Sequence, residues 1–204
     1  MFAIIKLLKV KKYYNKKIRK IKEDDFLGND EIDKDSMDVI CEMAWKYYEA
    51  EISRGNKIIS KAKTYCSAVG LTLSIFSFAS KDAIITLKNY NGYNLLLILL
   101  FLITIGYFLL AAISSLSAIK LTNVHKIGEG DIVDTHEIAT ENQGTSTEDA
   151  KKICRKHVVN KLILYTKLNE QIDNAMATYV GIAQEAYRKG IIVLVIFLAM
   201  VLIF

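Results

Sequence analysis

The sequence predicts an all-α membrane protein: a transmembrane helical hairpin, a third apolar helix at the carboxyl end, and long amphipathic cytoplasmic helices forming a stalk. Three observations lead there. The 204 residues include no proline, where average usage of about 5% would supply roughly ten, and proline is the residue that interrupts helices. Hydrophobic residues make up 52% and charged residues 24% of the chain, and the two kinds fall in separate blocks. Between Lys88 and Lys120 no charge occurs over 31 positions, more than the roughly 20 apolar residues a helix needs to cross hydrocarbon.

The first element, residues 1–35, is a basic amphipathic arm followed by an acidic linker. Nine Lys/Arg and no acid lie in residues 1–22, among them Lys6, Lys9, Lys11, Lys12, Lys16, Lys17, Arg19 and Lys20. Leu7, Val10, Tyr14, Ile18 and Ile21 recur at helical spacing between them. Such an arm suits an anionic membrane surface, a nucleic acid or an acidic protein partner. Lys6 and Lys9 break its apolar run and no small-residue cleavage site follows, so it does not read as a secretory signal. The linker carries most of the eight acids in residues 23–38. It lacks the glycine that the sharp turn of a calcium-binding EF-hand loop requires.

A cytoplasmic helix over 36–63 follows, with Asp35 or Ser36 placed to cap its free amides. Cys41, Trp45, Tyr48, Ile52, Gly55, Ile59 and Ala62 alternate at spacings of four and three, the seam of a coiled coil. Residues 64–120 are the hairpin. Its first apolar block, Thr64–Ser80, is bounded by Lys63 and Lys81, whose long side chains can extend a short span by snorkelling. Residues 121–147 read as a polar loop, and Thr145 with Glu148 forms a capping box for the helix of 148–189. That helix repeats the seam pattern with Tyr165, Leu168, Ile172, Ala175, Tyr179, Ile182 and Ala186. It leads through Arg188 and Lys189 into the membrane segment of 190–204. Fifteen apolar residues there would reach only about 22 Å as a helix, the length of a single leaflet and part of the next.

Both seams approach an apolar block from its amino-terminal side, so the two helices can run parallel and pack as a stalk through Trp45, Tyr48, Ile52, Ile59, Tyr165, Leu168, Ile172 and Tyr179. Lys/Arg number fifteen in residues 1–63, two between the first two apolar blocks, and ten in 120–189. Positive charge is retained on the cytoplasmic side. The amino terminus and the 120–189 region are therefore assigned to the cytoplasm.

Reactive chemistry is sparse. Cys41, Cys66 and Cys154 are odd in number and far apart, which reads as free thiols. The cluster "DIVDTHE" brings Asp131, Asp134, His136 and Glu137 together, but no second histidine stands four residues on, as a helical zinc motif needs. It is read as a solvated loop. No catalytic, cofactor-binding or metal-ligating residue is assigned, no cofactor or small-molecule substrate is expected, and the chain is not expected to be an enzyme. Within the apolar blocks, Ser67, Gly70, Ser74 and Ser77 share one helical face. Thr104, Tyr107, Ala111, Ser114 and Ala118 share another. Small residues permit close helix packing in lipid, and in an oligomer the same hydroxyls could line a path.

The charged arm, the aromatic-rich helix "WKYYEAEISRGNKIISKAK" entering a tight hairpin, and the helical cytoplasmic return resemble the small two-transmembrane effectors of bacterial anti-phage systems. These include the SLATT-like effectors tied to cyclic-oligonucleotide signalling and those associated with retrons. The resemblance covers roughly residues 36–189, and the third apolar segment departs from the simplest form of it. It implies a protein kept silent until a partner sensor releases it, which then oligomerises and permeabilises or depolarises the inner membrane in abortive infection. The expected partners are the lipid bilayer, further copies of the chain, and a sensor or inhibitor complex. In a retron system that complex is a reverse transcriptase with its RNA–DNA product; otherwise it is a cyclic-oligonucleotide system. Two other readings fit the layout: an adaptor whose stalk recruits cytoplasmic proteins, and a holin-like lysis protein.

Overall fold

The computed structural model describes the backbone at residues 34–86, 92–121 and 147–203 and at single positions between 131 and 140, with side chains at 35–77, 95–121, those single positions and 149–201. The basic arm, from Lys6 to Lys20, lies outside the described residues, as does His136. Most of the described residues lie in three long helices: α1 (Lys34–Thr86), α2 (Gly92–Lys120) and α3 (Thr147–Ile203). Among the described residues there is no strand. Neither α1 nor α3 is interrupted where it passes from charged to apolar sequence, because no proline stops it.

The chain divides into two compact units. The apolar unit draws on Ile58–Thr122 and Ala175–Phe204; the polar unit draws on α1 up to Lys57 and on Asn123–Asn174.

In the apolar unit the core forms two layers. Val69, Phe108, Ala111 and Ala186 make the first; Phe76, Leu97 and Phe197 make the second. From one layer to the next the chain advances from Val69 to Phe76 on α1, retreats from Phe108 to Leu97 on α2, and advances from Ala186 to Phe197 on α3. The helices α1 and α3 are thus parallel here, with α2 running against both. Phe76, Phe101 and Phe197 close the second layer, with ring centroids 5.1–6.1 Å apart. Each tilted or edge-on pair adds about 0.5–1.5 kcal/mol beyond its buried area. In the first layer Gly190 is pressed against Phe108: a Cβ there would lie 2.9 Å from the ring. A glycine inside a helix costs about 1 kcal/mol relative to alanine, and here it lets the ring approach the backbone.

In the polar unit Ala44 and Tyr48 of α1 pack on Val159 and Leu162 of α3, with Ile52 and Tyr165 at the edge. Asp38 pairs with Arg155 at 2.7 Å and Arg54 reaches Asn174 at 2.7 Å, so the two helices advance together and are parallel here too. Two expectations change. Trp45, placed in the seam by spacing, is 44% exposed and Ala44 is buried in its stead. The indole N–H donates to Glu49 at 2.8 Å, a bond it keeps by staying at the water edge of the seam. The described residues of the predicted 121–147 loop, Asp131, Asp134, Thr135, Glu137, Ile138 and Thr140, have helical backbone. Thr135 Oγ1 donates to Asp131 O at 2.7 Å, and the Asp131 carboxylate accepts from Tyr165 O–H at 2.6 Å. Asp131 is therefore held on α3 by a hydrogen bond, and the described residues of "DIVDTHE" are helical where a solvated loop was expected.

Overpacking a core usually costs about 1–3 kcal/mol. Gly190→Ala is expected to lower the thermal midpoint in detergent, and Phe108→Leu in the same chain to restore part of it. Equal midpoints for wild type and Gly190→Ala would show that the ring is free to move aside.

Candidate functional site: apolar faces of three helices

Among the described residues one helix, over Leu95–Lys120, is long and apolar enough to cross a membrane. Its 26 residues span about 39 Å. Only 22% of its most apolar window is buried, whereas the core helix of a water-soluble protein would be largely covered. Leu95, Leu99, Leu102, Leu109, Ile113 and Leu116 face outward along it. The neighbouring helices do likewise: Leu71 and Ile75 on α1 are 66% and 61% exposed, and Ile192, Val195 and Ile196 on α3 are exposed too. Three apolar faces thus surround an aromatic core, a distribution that water disfavours by about 25 cal/mol for each Å2 left uncovered.

The two predicted small-residue faces have different fates. Thr104, Ala111, Ser114 and Ala118 are buried inside the unit, with Tyr107 half-buried beside them. Ser67, Gly70, Ser74 and Ser77 are exposed, on the outside of α1. Most of the hydroxyls whose bonds are described turn back on their own helix. Thr104 donates to Leu100 O at 2.8 Å, Ser114 to Leu110 O at 2.8 Å and Ser74 to Gly70 O at 2.9 Å. A donor satisfied in this way can sit in an apolar medium without an uncompensated polar group. Thr72 adds a link between helices. Its own proton goes to Ala68 O at 2.8 Å, so Tyr187 O–H is the donor to Thr72 Oγ1 at 3.1 Å.

The basic residues at the start of the last apolar segment lie deeper along α2 than its ends. Gly190 touches Phe108, so Arg188 and Lys189, both exposed, are level with the middle of α2. Lys189 pairs with Glu185 at 2.7 Å. Beyond Phe197, which is level with Leu97, six residues or about 9 Å bring Ile203 level with the first turns of α2.

No family model, no curated protein and no solved structure matches this chain. The reading of its function therefore rests on its own chemistry.

Of the predicted stalk residues, Tyr48 and Ile172 are buried in the polar unit, with Ile52, Tyr165 and Leu168 half-buried; Tyr179 is buried and Ile59 half-buried in the apolar unit. The seam pattern missed the polar interior of α3, where Asn169 and Asp173 are almost fully covered. Asp173 lies over Gly55, where a Cβ would come within 2.8 Å of its Oδ1. Burial pushes its carboxyl up to about 7 from the ordinary 3.8, helped by the charge of Glu51 and opposed by Arg54. A glycine in an apolar seam opposite an acid on a facing helix was the one signal in the sequence that could have found it. Among the described residues no three His, Cys, Asp or Glu side chains gather to hold a metal ion.

Hydrogen bonds between helices in an apolar medium contribute about 0.6 kcal/mol on average and up to about 1.7. Tyr187→Phe is expected to lower stability in mild detergent by about 1 kcal/mol, read from steric-trap or denaturant unfolding. Thr72→Val on that background should cost little more, because the acceptor is already idle.

Proposed function

We propose that this chain is a non-enzymatic inner-membrane effector of a bacterial anti-phage system, one that oligomerises and permeabilises or depolarises the membrane when a partner sensor releases it. The observation that carries the membrane part is the set of outward apolar faces on α1, α2 and α3 around the core of Phe76, Phe101 and Phe197. The hydrocarbon boundary follows from the charges. Arg188 and Lys189 reach the headgroups by snorkelling, which leaves α2 immersed from Gly92 to near Ala112, about 20 residues or 30 Å. The less apolar stretch "ISSLSAIK" then lies in the cytoplasmic interface. On this placement the fifteen-residue terminal segment suffices, because its parallel partner α1 and the antiparallel α2 share the same layers.

The oligomer forms through the outer face of α1. Ser67, Gly70, Ser74 and Ser77 present no bulk there, so a second copy can approach closely. Thr104 and Ser114 of α2 are turned inward and bonded to their own helix, which supports a path between copies over one through a single copy. The sensor or inhibitor complex, whether a reverse transcriptase with RNA–DNA or a cyclic-oligonucleotide system, engages the cytoplasmic side, where the basic arm supplies charge for phosphate or anionic lipid.

Expression in bacteria loaded with a potential-sensitive dye tests the reading. Depolarisation and growth arrest are expected once the genetically neighbouring sensor is triggered. A chain that leaves potential and growth unchanged together with that neighbour is an adaptor, and lysis with an adjacent endolysin marks a holin. Ser74→Leu and Gly70→Leu are expected to reduce oligomer size in detergent and to abolish depolarisation while leaving insertion intact. An unchanged oligomer would remove this face from the interface.

A further inference from the structure

Two carboxyl groups that meet out of water require a proton between them. Each carboxylate is an acceptor only, so a hydrogen bond between two of them exists only while one is protonated. Asp173 of α3 is 2% exposed, its Oδ2 has no partner, and its carboxyl lies against the backbone of Gly55 on α1. Glu51, one turn back along α1 from Gly55, is the acid that bears on it, and its charge adds to burial in raising the Asp173 carboxyl. Arg54 donates to Glu51 at 2.9 Å and to Asn174 at 2.7 Å. The charged groups that bear on Asp173 are Glu51 and Arg54, both from α1, while α3 adds only the neutral Asn174.

We propose that Glu51 and Asp173 form a proton-operated catch between α1 and α3: sharing one proton, they clamp the two helices together at Gly55, and losing it they part. Without the proton the O–H donor is gone and the charge of Glu51 bears on a second one at Asp173, which is shut off from water. Arg54 cannot neutralise both, because its guanidinium is already committed to Glu51 and Asn174. The glycine is what makes the catch possible, since any side chain at 55 would hold the Asp173 carboxyl away from the helix. Asp173 titrates near 7, close to the pH of a cytoplasm, so small changes there shift the fraction of closed catches. The sign is fixed by linkage. The folded state holds the proton more tightly than the unfolded chain, so the contact is strongest at low pH and weakens as pH rises through neutrality. The catch deepens the effector reading by naming a regulator of it, and rests on that reading only for this consequence. Both helices continue past the catch into the apolar unit, so its state is a candidate bias on release.

Trp45, the single tryptophan of the chain, lies at the water edge of the α1–α3 contact, its ring 5.8 Å from that of Tyr48, which is buried in it. The test is its emission from the full chain in nanodiscs of neutral lipid, titrated from about pH 5.5 to 8.5. The wild type is expected to show a one-proton red shift centred near neutrality. Asp173→Asn keeps a donor for Glu51 and cannot lose it, so its emission should stay blue and flat. Glu51→Gln should move the midpoint down by about one unit, by removing the opposing charge, and serves as the second arm if Asp173→Asn does not fold. His157→Gln should leave the midpoint where it was. A wild type without a transition, an Asp173→Asn chain that titrates like the wild type, or a transition lost only with His157 would each overturn the catch. Depolarisation plays no part in this readout, so failure of the catch leaves the effector reading standing, and the converse holds as well.

Discussion

The ring of Phe108 rests on the backbone of Gly190, and the register of the apolar unit follows from that contact. With those two residues level, Val69 and Ala186 fall into one layer and Phe76, Leu97 and Phe197 into the next. The same contact fixes how deep Arg188 and Lys189 stand along α2, and hence how much of each helix has an apolar exterior. On the membrane placement proposed above, the helices gain little from hydrophobicity when they associate, because lipid tails are as apolar as leucine. Close approach at small residues and interlocking rings must supply the difference, and this unit has both, at Gly190 and in the phenylalanine trio.

The two units distribute their apolar residues in opposite ways with the same secondary structure. The apolar one turns leucine, isoleucine and valine outward and satisfies the hydroxyls of Thr72, Ser74, Thr104 and Ser114 on its own backbone. The polar one buries a smaller apolar cluster of Ala44, Tyr48, Val159 and Leu162, and with it carries Asn169 and Asp173 out of water. Burying such groups costs free energy unless each finds a partner. Beside Asp173 the Arg54 guanidinium bridges Glu51 and Asn174, while Oδ2 of Asp173 is left without a partner. An apolar pair at 55 and 173 would have packed the helices with less cost; the polar arrangement adds sensitivity to pH and specifies which residues face each other.

Much of this was legible in the residues. The helical class follows from the missing proline, and the burial of Ile172, Ala175, Tyr179, Ile182 and Ala186 from their alternating spacing, because a periodic apolar stripe must be covered in water. The same rule misplaced Trp45, whose area favours the seam but whose N–H is satisfied at its edge. It was blind to Asp173, since a pattern built on apolar residues does not register a buried acid. The helical backbone around Asp131 was hidden for a related reason: glycine and charge suggest a loop, and the bond from Tyr165 that holds it joins residues 34 apart in sequence.

What the sequence determined by itself is local: which stretches are helical, which are apolar, and which face of each helix carries small residues. Those properties follow from side-chain chemistry at neighbouring positions. Only the tertiary structure decided which face is inside. Thr104, Ala111 and Ser114 are enclosed because α2 turns them toward its neighbours, while Ser67, Gly70 and Ser74 are left outside because α1 meets its partners through Val69 and Phe76. The choice between two similar small-residue faces depends on the register that Phe108 and Gly190 impose between helices far apart in the chain, and no local pattern contains it.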